Sequence, residues 1–387
     1  MYASSPQGFL VHHGRAGIKD ARPDFAVIAS EVPAATSAVF TRSRFAGPSV
    51  RLSREAVADR IARGVVVLSG NANVATGAGG RQDAEEIRRQ VAEAIGADAN
   101  DVLIASTGLI GHRYPMPLLR RHVASLRWPF PGADFDAAAT AIMTTDTHPK
   151  IRRARCGDAT LVGIAKGVGM MEPDMATLLT FFCTDAEVGP VVLDDIFRRV
   201  MDRTFNALSI DTDTSTSDTA AVFANGLAGP VDLVEFERTL GAVALDLVKD
   251  IARDGEGATK LIEVRVTGAR DVAQAKRVAK AVVNSPLVKT AVHGADPNWG
   301  RVAMAVGKCQ DDLDIVPERV TIGFGGQEVY PESPGPDELE RVAEHLKQAE
   351  VALRVDLGVH PHSSAEFTAY GCDLTEGYVR LNADYST

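Results

Sequence analysis

A threonine stands at the start of an apolar run near the middle of the chain. Thr177 follows the small residue Ala176 and opens the strand-like segment 178–182. A threonine hydroxyl is a weak nucleophile at neutral pH unless a base lies beside it. Cleavage of the chain just before Thr177 would supply that base, because a new α-amine titrates at about 7.7–8.0. The alternative, an ordinary threonine of a β-strand, is what a lone Ala-Thr pair would favour.

Composition restricts the class of protein. The chain has 387 residues, 45% hydrophobic and only 6% aromatic, which is typical of an α/β enzyme. Its net charge of −10 argues against nucleic acid as a partner. No apolar stretch reaches the roughly 18 residues that a membrane span needs. The N-terminal residues lack the plan of a signal peptide. We therefore expect a cytoplasmic protein with no membrane partner.

The periodicity of apolar residues predicts a layered fold. Short apolar, β-like runs predict strands at residues 25–29, 37–40, 64–68, 101–105, 159–165, 178–182, 220–224, 260–267, 320–324 and 351–357, of which 260–267 and 351–357 alternate. Amphipathic patterns predict helices at 83–95, 116–126, 135–143, 192–206, 231–253, 271–283 and 336–347, with a loop at 284–286. Strands and helices do not alternate strictly. The predicted fold class is therefore α/β, as an α+β layered sandwich with largely antiparallel or mixed sheets.

Separate blocks of sequence resemble the ornithine acetyltransferase (glutamate N-acetyltransferase) family. They are GNANVATG at 70–77, IASTG at 104–108, MTTD at 143–146, KGVG at 166–169 with Ala176-Thr177, DTDTSTSDT at 211–219, DGEG at 254–257, HGADPNWGR at 293–301 and YVRLN at 378–382. Agreement at so many positions in the same order argues against chance. Residues 205–214 and the Glu-Pro-Asp before Met175 are similar to the branch found in clavulanic-acid-type antibiotic gene clusters.

The resemblance implies a chain that processes itself. The precursor would cut between Ala176 and Thr177 to give an α chain, residues 1–176, and a β chain, residues 177–387. Thr177 would attack the preceding carbonyl in an N-to-O acyl shift, and water would release the ester. The same hydroxyl would then be the catalytic nucleophile of a self-processing N-terminal-threonine-nucleophile acetyltransferase fold. An α2β2 heterotetramer is expected.

The family also assigns an oxyanion hole and a substrate-binding lysine. Thr107 and Gly108 match the pair whose hydroxyl and backbone N–H stabilise the oxyanion, a role also compatible with a plain strand-end turn in which glycine supplies a positive φ. Lys166 matches a lysine that contacts substrate. A lone lysine is usually solvated, but this one lies in an apolar, glycine-containing segment.

The remaining substrate-binding positions are spread over the chain. Thr144, Glu256, Asn382 and Thr387 match them, together with Lys166 and Thr177. The alternatives are a polar helix end for Thr144, a helix C-cap turn with a solvated acid for Glu256, and a frayed chain end for Asn382 and Thr387.

Other polar clusters do not predict a metal or nucleotide site. Residues 211–219 lack histidine, cysteine and the spaced ligands of a calcium loop, so we interpret them as a hydrogen-bond network that supports the nucleophile. His360 and His362 have strand-like ligand spacing without nearby partners. Neither metal nor organic cofactor is expected. One departure from the family is Ala75, where many members have cysteine; it bears on packing or on use of a second acetyl donor.

The resemblance implies a ping-pong transfer of acetyl from N2-acetyl-L-ornithine to L-glutamate through acetyl-Thr177. This reaction serves arginine biosynthesis, or arginine supply to an antibiotic pathway. Two alternatives stay open at this point. One is an N-terminal-nucleophile amidase or aminopeptidase that uses the same threonine, and the other is an uncut, non-catalytic binding protein.

Thr177→Ala is expected to leave one intact, inactive chain, because the substitution removes both the attacking hydroxyl and the later nucleophile. A denaturing gel and a transferase assay measure the two effects. Normal processing of this variant would contradict the assignment.

Overall fold

The computed structural model describes residues 5–172, 178–360 and 362–384. Within these ranges the strands are β1 Phe9–Gly14, β2 Phe25–Phe40, β3 Ile61–Asn71, β4 Val102–Leu109, β5 Lys150–Cys156, β6 Ala159–Lys166, β7 Leu179–Glu187, β8 Thr219–Pro230, β9 Leu261–Thr267, β10 Thr321–Phe324, β11 Gln327–Tyr330, β12 Glu350–Asp356 and β13 Phe367–Cys372.

The helices in the same ranges are mostly short. They are α1 Pro48–Ala56, α2 Gly77–Ile95, α3 Met116–Ala124, α4 Phe135–Ile142, α5 Pro190–Arg203, α6 Leu233–Arg253, α7 Val272–Val283, α8 Pro286–His293, α9 Gly300–Gly307, α10 Pro336–Leu346 and α11 Glu376–Asp384.

The chain forms two compact units. The first comprises the described residues up to Asn206 together with Asp213–Leu247, and the second comprises Ala207–Thr212 and the described residues from Val248 onward. The predicted cleavage position between residues 176 and 177 falls within the sequence range of the first unit. The predicted α and β chains therefore do not coincide with the compact units.

The first unit is built on a mixed sheet of eight strands. Their order is β4-β3-β2-β8-β7-β6-β5, with β1 paired to β2. The pairs β3–β4 and β7–β8 are parallel, and the others are antiparallel. The edge strand β5 carries the basic sequence KIRRARC, and charged edges hinder pairing with a second sheet.

Both faces of this sheet are buried, because successive side chains of a strand point to opposite sides. On β3, Val65 and Val67 join a core that includes α4, whereas Val66 and Leu68 join a second core with α2 and α3. The sheet is therefore the middle layer of a three-layer arrangement. This explains why the central strands are apolar without alternation, as in sheets covered on both faces.

The second unit has a smaller mixed sheet of five strands. Their order is β11-β10-β12-β9-β13, in which only β9 and β12 are parallel. Helix α7 packs on β9 and β13 and buries Val278 and Val282. The two sheets with their helices confirm the predicted mixed α/β, layered fold class.

The sequence prediction missed several elements. The runs at 25–29 and 37–40 belong to one long strand, β2, whose register with β3 shifts between Ala29 and Ala34. The segment 284–286 is not merely a loop, because it starts α8: the Ser285 side chain accepts a hydrogen bond from the Val288 N–H, and Pro286 occupies the first turn. Serine at the N-cap followed by proline is a standard helix start.

Two histidines of the first unit lie in contact at the edge of an aromatic cluster. His12 of β1 and His122 of α3 place their Nε2 atoms 3.1 Å apart, and both rings lie near Phe25. Burial, with the nearby imidazoles of His122 and His13, lowers the pKa of His12 to about 4. Burial also lowers the pKa of His122. Both rings are therefore neutral at pH 7.

This pair is expected to make the first unit acid-sensitive. Unfolded histidine titrates near 6.5, so between about pH 6.5 and pH 4 the unfolded state binds more protons and stability falls as the pH falls. His12→Gln should flatten the decline of the thermal midpoint across this window, whereas the exposed His112→Gln should not. If the thermal midpoint of His12→Gln fell with pH as steeply as that of the native protein, the lowered pKa of His12 would be contradicted.

Candidate active site

Thr107 and Gly108 lie near the end of β4, opposite the end of β3. The parallel register pairs Ser69 with Thr107 and Gly70 with Gly108. Gly108 has a φ of +126°, and a Cβ on it would lie 2.3 Å from the carbonyl carbon of Gly70. A side chain at residue 108 is therefore excluded by both conformation and space. The prediction that Thr107 and Gly108 lie at the end of a strand is confirmed. The positive φ of Gly108 requires glycine at this position, independently of any role in catalysis.

Lys166 joins two of the predicted site residues. It ends β6 and is buried, and its Nζ donates to Thr107 Oγ1 at 2.9 Å and to Thr144 Oγ1 at 3.0 Å. An ammonium group can only donate hydrogen bonds. Both hydroxyl oxygens are therefore acceptors in these contacts, and each hydroxyl proton is directed to another group. The Lys166 side chain is therefore buried rather than solvated, whereas its contact with substrate stays a prediction.

A buried carboxylate, Asp146, fixes the chain on both sides of this contact. Its Oδ1 accepts from the Gly167 N–H at 2.9 Å, and its Oδ2 accepts from the Thr144 N–H at 3.1 Å. It also pairs with Lys150 at 2.8 Å, and both side chains are fully buried. Burial raises the pKa of Asp146, but the charges of Lys150 and Lys166 outweigh this effect and lower the pKa below its usual value.

A second lysine near the site was not identified from the sequence. Lys19 Nζ donates to the carbonyl of Met143 at 2.9 Å, directly before Thr144. Its loop is held by Asp24, whose carboxylate accepts four consecutive backbone N–H groups, those of residues 16–19. Burial lowers the pKa of Lys19 to about 8, against the opposing charge of Asp24. No periodicity or motif in the sequence signals this lysine.

In the second unit, two predicted substrate-binding residues lie together. Asn382 Nδ2 donates to Glu256 Oε2 at 2.9 Å, on the exposed surface of α11. Gly257 has a φ of +70°, and a Cβ there would lie 2.2 Å from the backbone nitrogen of Tyr378. Glycine at this position therefore permits close approach of the first turn of α11. The Thr375 hydroxyl donates to the Gly257 carbonyl at 2.6 Å.

Three predicted site residues lie outside the described residues: Ala176, Thr177 and Thr387. Leu178, which follows Thr177, is described and buried, and its carbonyl accepts from the Thr219 N–H at 2.9 Å.

The polar segment 211–219 contributes hydrogen bonds within the first unit from Asp213 onward. The Thr41 hydroxyl donates to the Ser215 carbonyl at 2.6 Å, and the Gly47 N–H donates to the Thr216 carbonyl at 3.0 Å. In the described parts of the chain, no group of three or more His, Cys, Asp or Glu side chains is placed to hold a metal ion. Cys156, Cys183, Cys309 and Cys372 are all free. No described helix is long and apolar enough to cross a bilayer.

The fold and the site together define a mixed α/β protein with a buried lysine–threonine centre at the strand ends of its larger sheet. The ArgJ family model matches residues 10–387. The chain belongs to the ArgJ family.

Two relatives extend the match over the whole chain. Glutamate N-acetyltransferase Oat2 of Streptomyces clavuligerus is 65% identical over 389 residues, covering 99% of this chain and 98% of the relative. Arginine biosynthesis bifunctional protein ArgJ of Rhodococcoides fascians is 52% identical over 390 residues, covering 100% and 96%. The resemblance predicted from the sequence, including its branch, is thereby confirmed.

Among solved structures, ArgJ of Bacillus halodurans is 40% identical with a TM-score of 0.48. The match covers 52% of this chain and 96% of that one.

Lys150→Met is expected to destabilise the first unit by about 3–5 kcal/mol, because it leaves the Asp146 carboxylate buried without its closest cation. Lys347→Met, which removes an exposed partner of Glu344, is the matched control and should cost less than about 1 kcal/mol. Urea unfolding followed by fluorescence measures both. Equal stability of the two variants would contradict the importance of the buried pair.

Proposed function

We propose that the chain is an acyltransferase that moves acetyl from N2-acetyl-L-ornithine to L-glutamate. The observation that carries this proposal is 65% identity to a glutamate N-acetyltransferase over 99% of the chain. The contact of Lys166 with Thr107 and Thr144 supports it, because residues far apart in sequence meet at one point. The reaction would serve arginine biosynthesis, or arginine supply to an antibiotic pathway, in the cytoplasm.

The proposed enzyme is made by cleavage between Ala176 and Thr177. The Thr177 hydroxyl attacks the carbonyl of Ala176, and the acyl group moves from the Thr177 nitrogen to its oxygen, which frees the α-amine. Water then hydrolyses the ester, which releases the Ala176 carboxylate and restores the hydroxyl. That amine then takes the proton of the Thr177 hydroxyl during transfer and returns it to the leaving amine. Chains 1–176 and 177–387 remain together, and two copies of each form an α2β2 heterotetramer.

Thr107 and Gly108 are proposed to stabilise the oxyanion at both stages. Lys166 supports this role physically: because it donates to Thr107 Oγ1, the threonine hydroxyl can direct its proton to the developing oxygen anion. The nearby positive charge strengthens that bond. Loss of one oxyanion donor typically raises the barrier by about 2.7–4 kcal/mol.

Thr144, Lys166, Glu256, Asn382 and Thr387 are proposed to bind the substrate, together with Thr177. Thr144 and Lys166 suit the carboxylate of an amino acid, since a cation and a hydroxyl can both bind it. The Glu256 carboxylate suits an ammonium group of ornithine, with Asn382 and Thr387 as further polar contacts. The mechanism uses a side-chain nucleophile, so the proposal includes neither metal nor organic cofactor.

Incubation of purified protein with N-acetylornithine is expected to add one acetyl group to the fragment 177–387, because the acyl-enzyme accumulates when no acceptor is present. Mass spectrometry reports the cut and the adduct together. Addition of glutamate should then discharge the adduct as N-acetylglutamate.

The outcome separates the proposal from its alternatives. Release of free acetate with no N-acetylglutamate would favour an amidase or aminopeptidase that uses the same threonine. An intact chain without adduct would favour a binding protein. A label on a residue other than Thr177 would refute the proposed nucleophile.

A further inference from the structure

The segment that carries Thr144 begins where α4 ends. The last residue of this helix is Ile142, and Met143 leaves the helical conformation with a ψ of 151°. Met143 is buried, so its carbonyl group is removed from water. A buried backbone carbonyl beyond the end of a helix needs a hydrogen-bond donor from another part of the chain.

Lys19 supplies this donor from the N-terminal part of the chain. Its Nζ donates to the Met143 carbonyl at 2.9 Å, and more weakly to the Ala141 carbonyl at 3.5 Å. The Ala141 carbonyl also accepts a hydrogen bond from the buried Ser69 hydroxyl at 2.5 Å. The end of α4 is therefore attached to the end of β3 and to the loop that contains Lys19.

The Lys19 side chain reaches this point across the end of β3. A Cβ on Gly70 would lie 2.8 Å from Lys19 Cγ, so glycine leaves the space that the lysine stem occupies. In the parallel register, Gly70 lies opposite Gly108. Asp24 fixes the start of the side chain, because its carboxylate accepts the Lys19 backbone N–H at 2.9 Å. The ammonium group is therefore directed to the end of α4 by the packing of its stem and its backbone.

The charge of Lys19 suits this position. Its pKa is about 8, so the ammonium group is mostly protonated at pH 7. A cation is favourable at the C-terminal end of a helix, where the carbonyl dipoles give a partial negative charge. Hydrogen bonds from a charged donor are also stronger than those from a neutral one.

We propose that Lys19 is a positioning residue of the substrate-binding site, where its ammonium group holds the Met143 carbonyl and thereby sets the position of Thr144. The Thr144 N–H is held by Asp146 at 3.1 Å, and its Oγ1 accepts from Lys166 at 3.0 Å. Without Lys19, the main chain would lose the hydrogen bond directly before Thr144. The inference rests on the proposed function only in that Thr144 binds substrate.

The attachment is tested without any activity. Hydrogen exchange followed by mass spectrometry should show faster deuterium uptake in segment 141–146 of Lys19→Met than in the native protein. Lys260→Met is the matched control, because Lys260 Nζ donates to carbonyls at the ends of α8 and α10, those of Val292 and Leu346, both at 2.7 Å. The control should leave the exchange of segment 141–146 unchanged. Native uptake in Lys19→Met would overturn the proposal.

The positioning role is tested by ligand binding and kinetics on the same proteins. Lys19→Met should raise the KM for N-acetylornithine and the Kd for L-ornithine about tenfold, the scale of one hydrogen bond to a charged group. Its kcat should be nearly unchanged, because the lost interaction positions bound substrate in ground state and transition state alike. Lys19→Arg, which keeps the charge and the donors, should recover most of the loss, and Lys260→Met should retain native KM and Kd.

Two outcomes would refute the role: native KM and Kd in Lys19→Met, or an equal change in Lys260→Met. If Lys19→Met does not fold, Lys19→Gln, which keeps a donor without the charge, replaces it and is judged by the same criteria. Failure of the native protein to bind L-ornithine would instead contradict the proposed function, and hydrogen exchange would still decide whether Lys19 holds this segment.

Discussion

The ionised carboxylate of Asp146 is the interaction on which the arrangement of the site depends. A carboxylate out of contact with water needs opposite charge and several donors, and Asp146 has both in Lys150 and the amides of Thr144 and Gly167. These bonds join the end of β6 to the segment after α4. Lys166 Nζ and Thr144 Oγ1 are thereby brought to 3.0 Å from each other, although the two residues lie 22 positions apart in the sequence.

Much of the fold follows from apolar periodicity. Helix α2 has Ile87, Val91 and Ile95 buried as the spacing predicts, and the continuous apolar runs of β3 and β4 correspond to strands covered on both faces. The short motifs also identified residues that meet in space. Lys166 contacts Thr107 and Thr144, and Glu256 contacts Asn382.

What the sequence did not predict depends on long-range packing. Lys19 is a site lysine only because the loop around Asp24 turns it towards Met143, 124 residues further along the chain. Asp218 is one acid in a polar cluster of the sequence, and only the structure shows that it is buried. Helix α8 is not predictable from local pattern, because its eight residues give too little periodicity to outweigh the loop signal of Ser285 and Pro286.

The pairing of strands across residues 176 and 177 has a consequence for any protein cut there. β6 lies before this position and β7 after it, and they are hydrogen-bonded neighbours; β2 and β8 form a second such pair. Two polypeptides produced by the cut would share one sheet and one interior. Dissociation of either polypeptide would break the hydrogen bonds between these strands and expose apolar side chains to water. The two products would therefore stay associated as one folded unit and would not exchange as separate subunits.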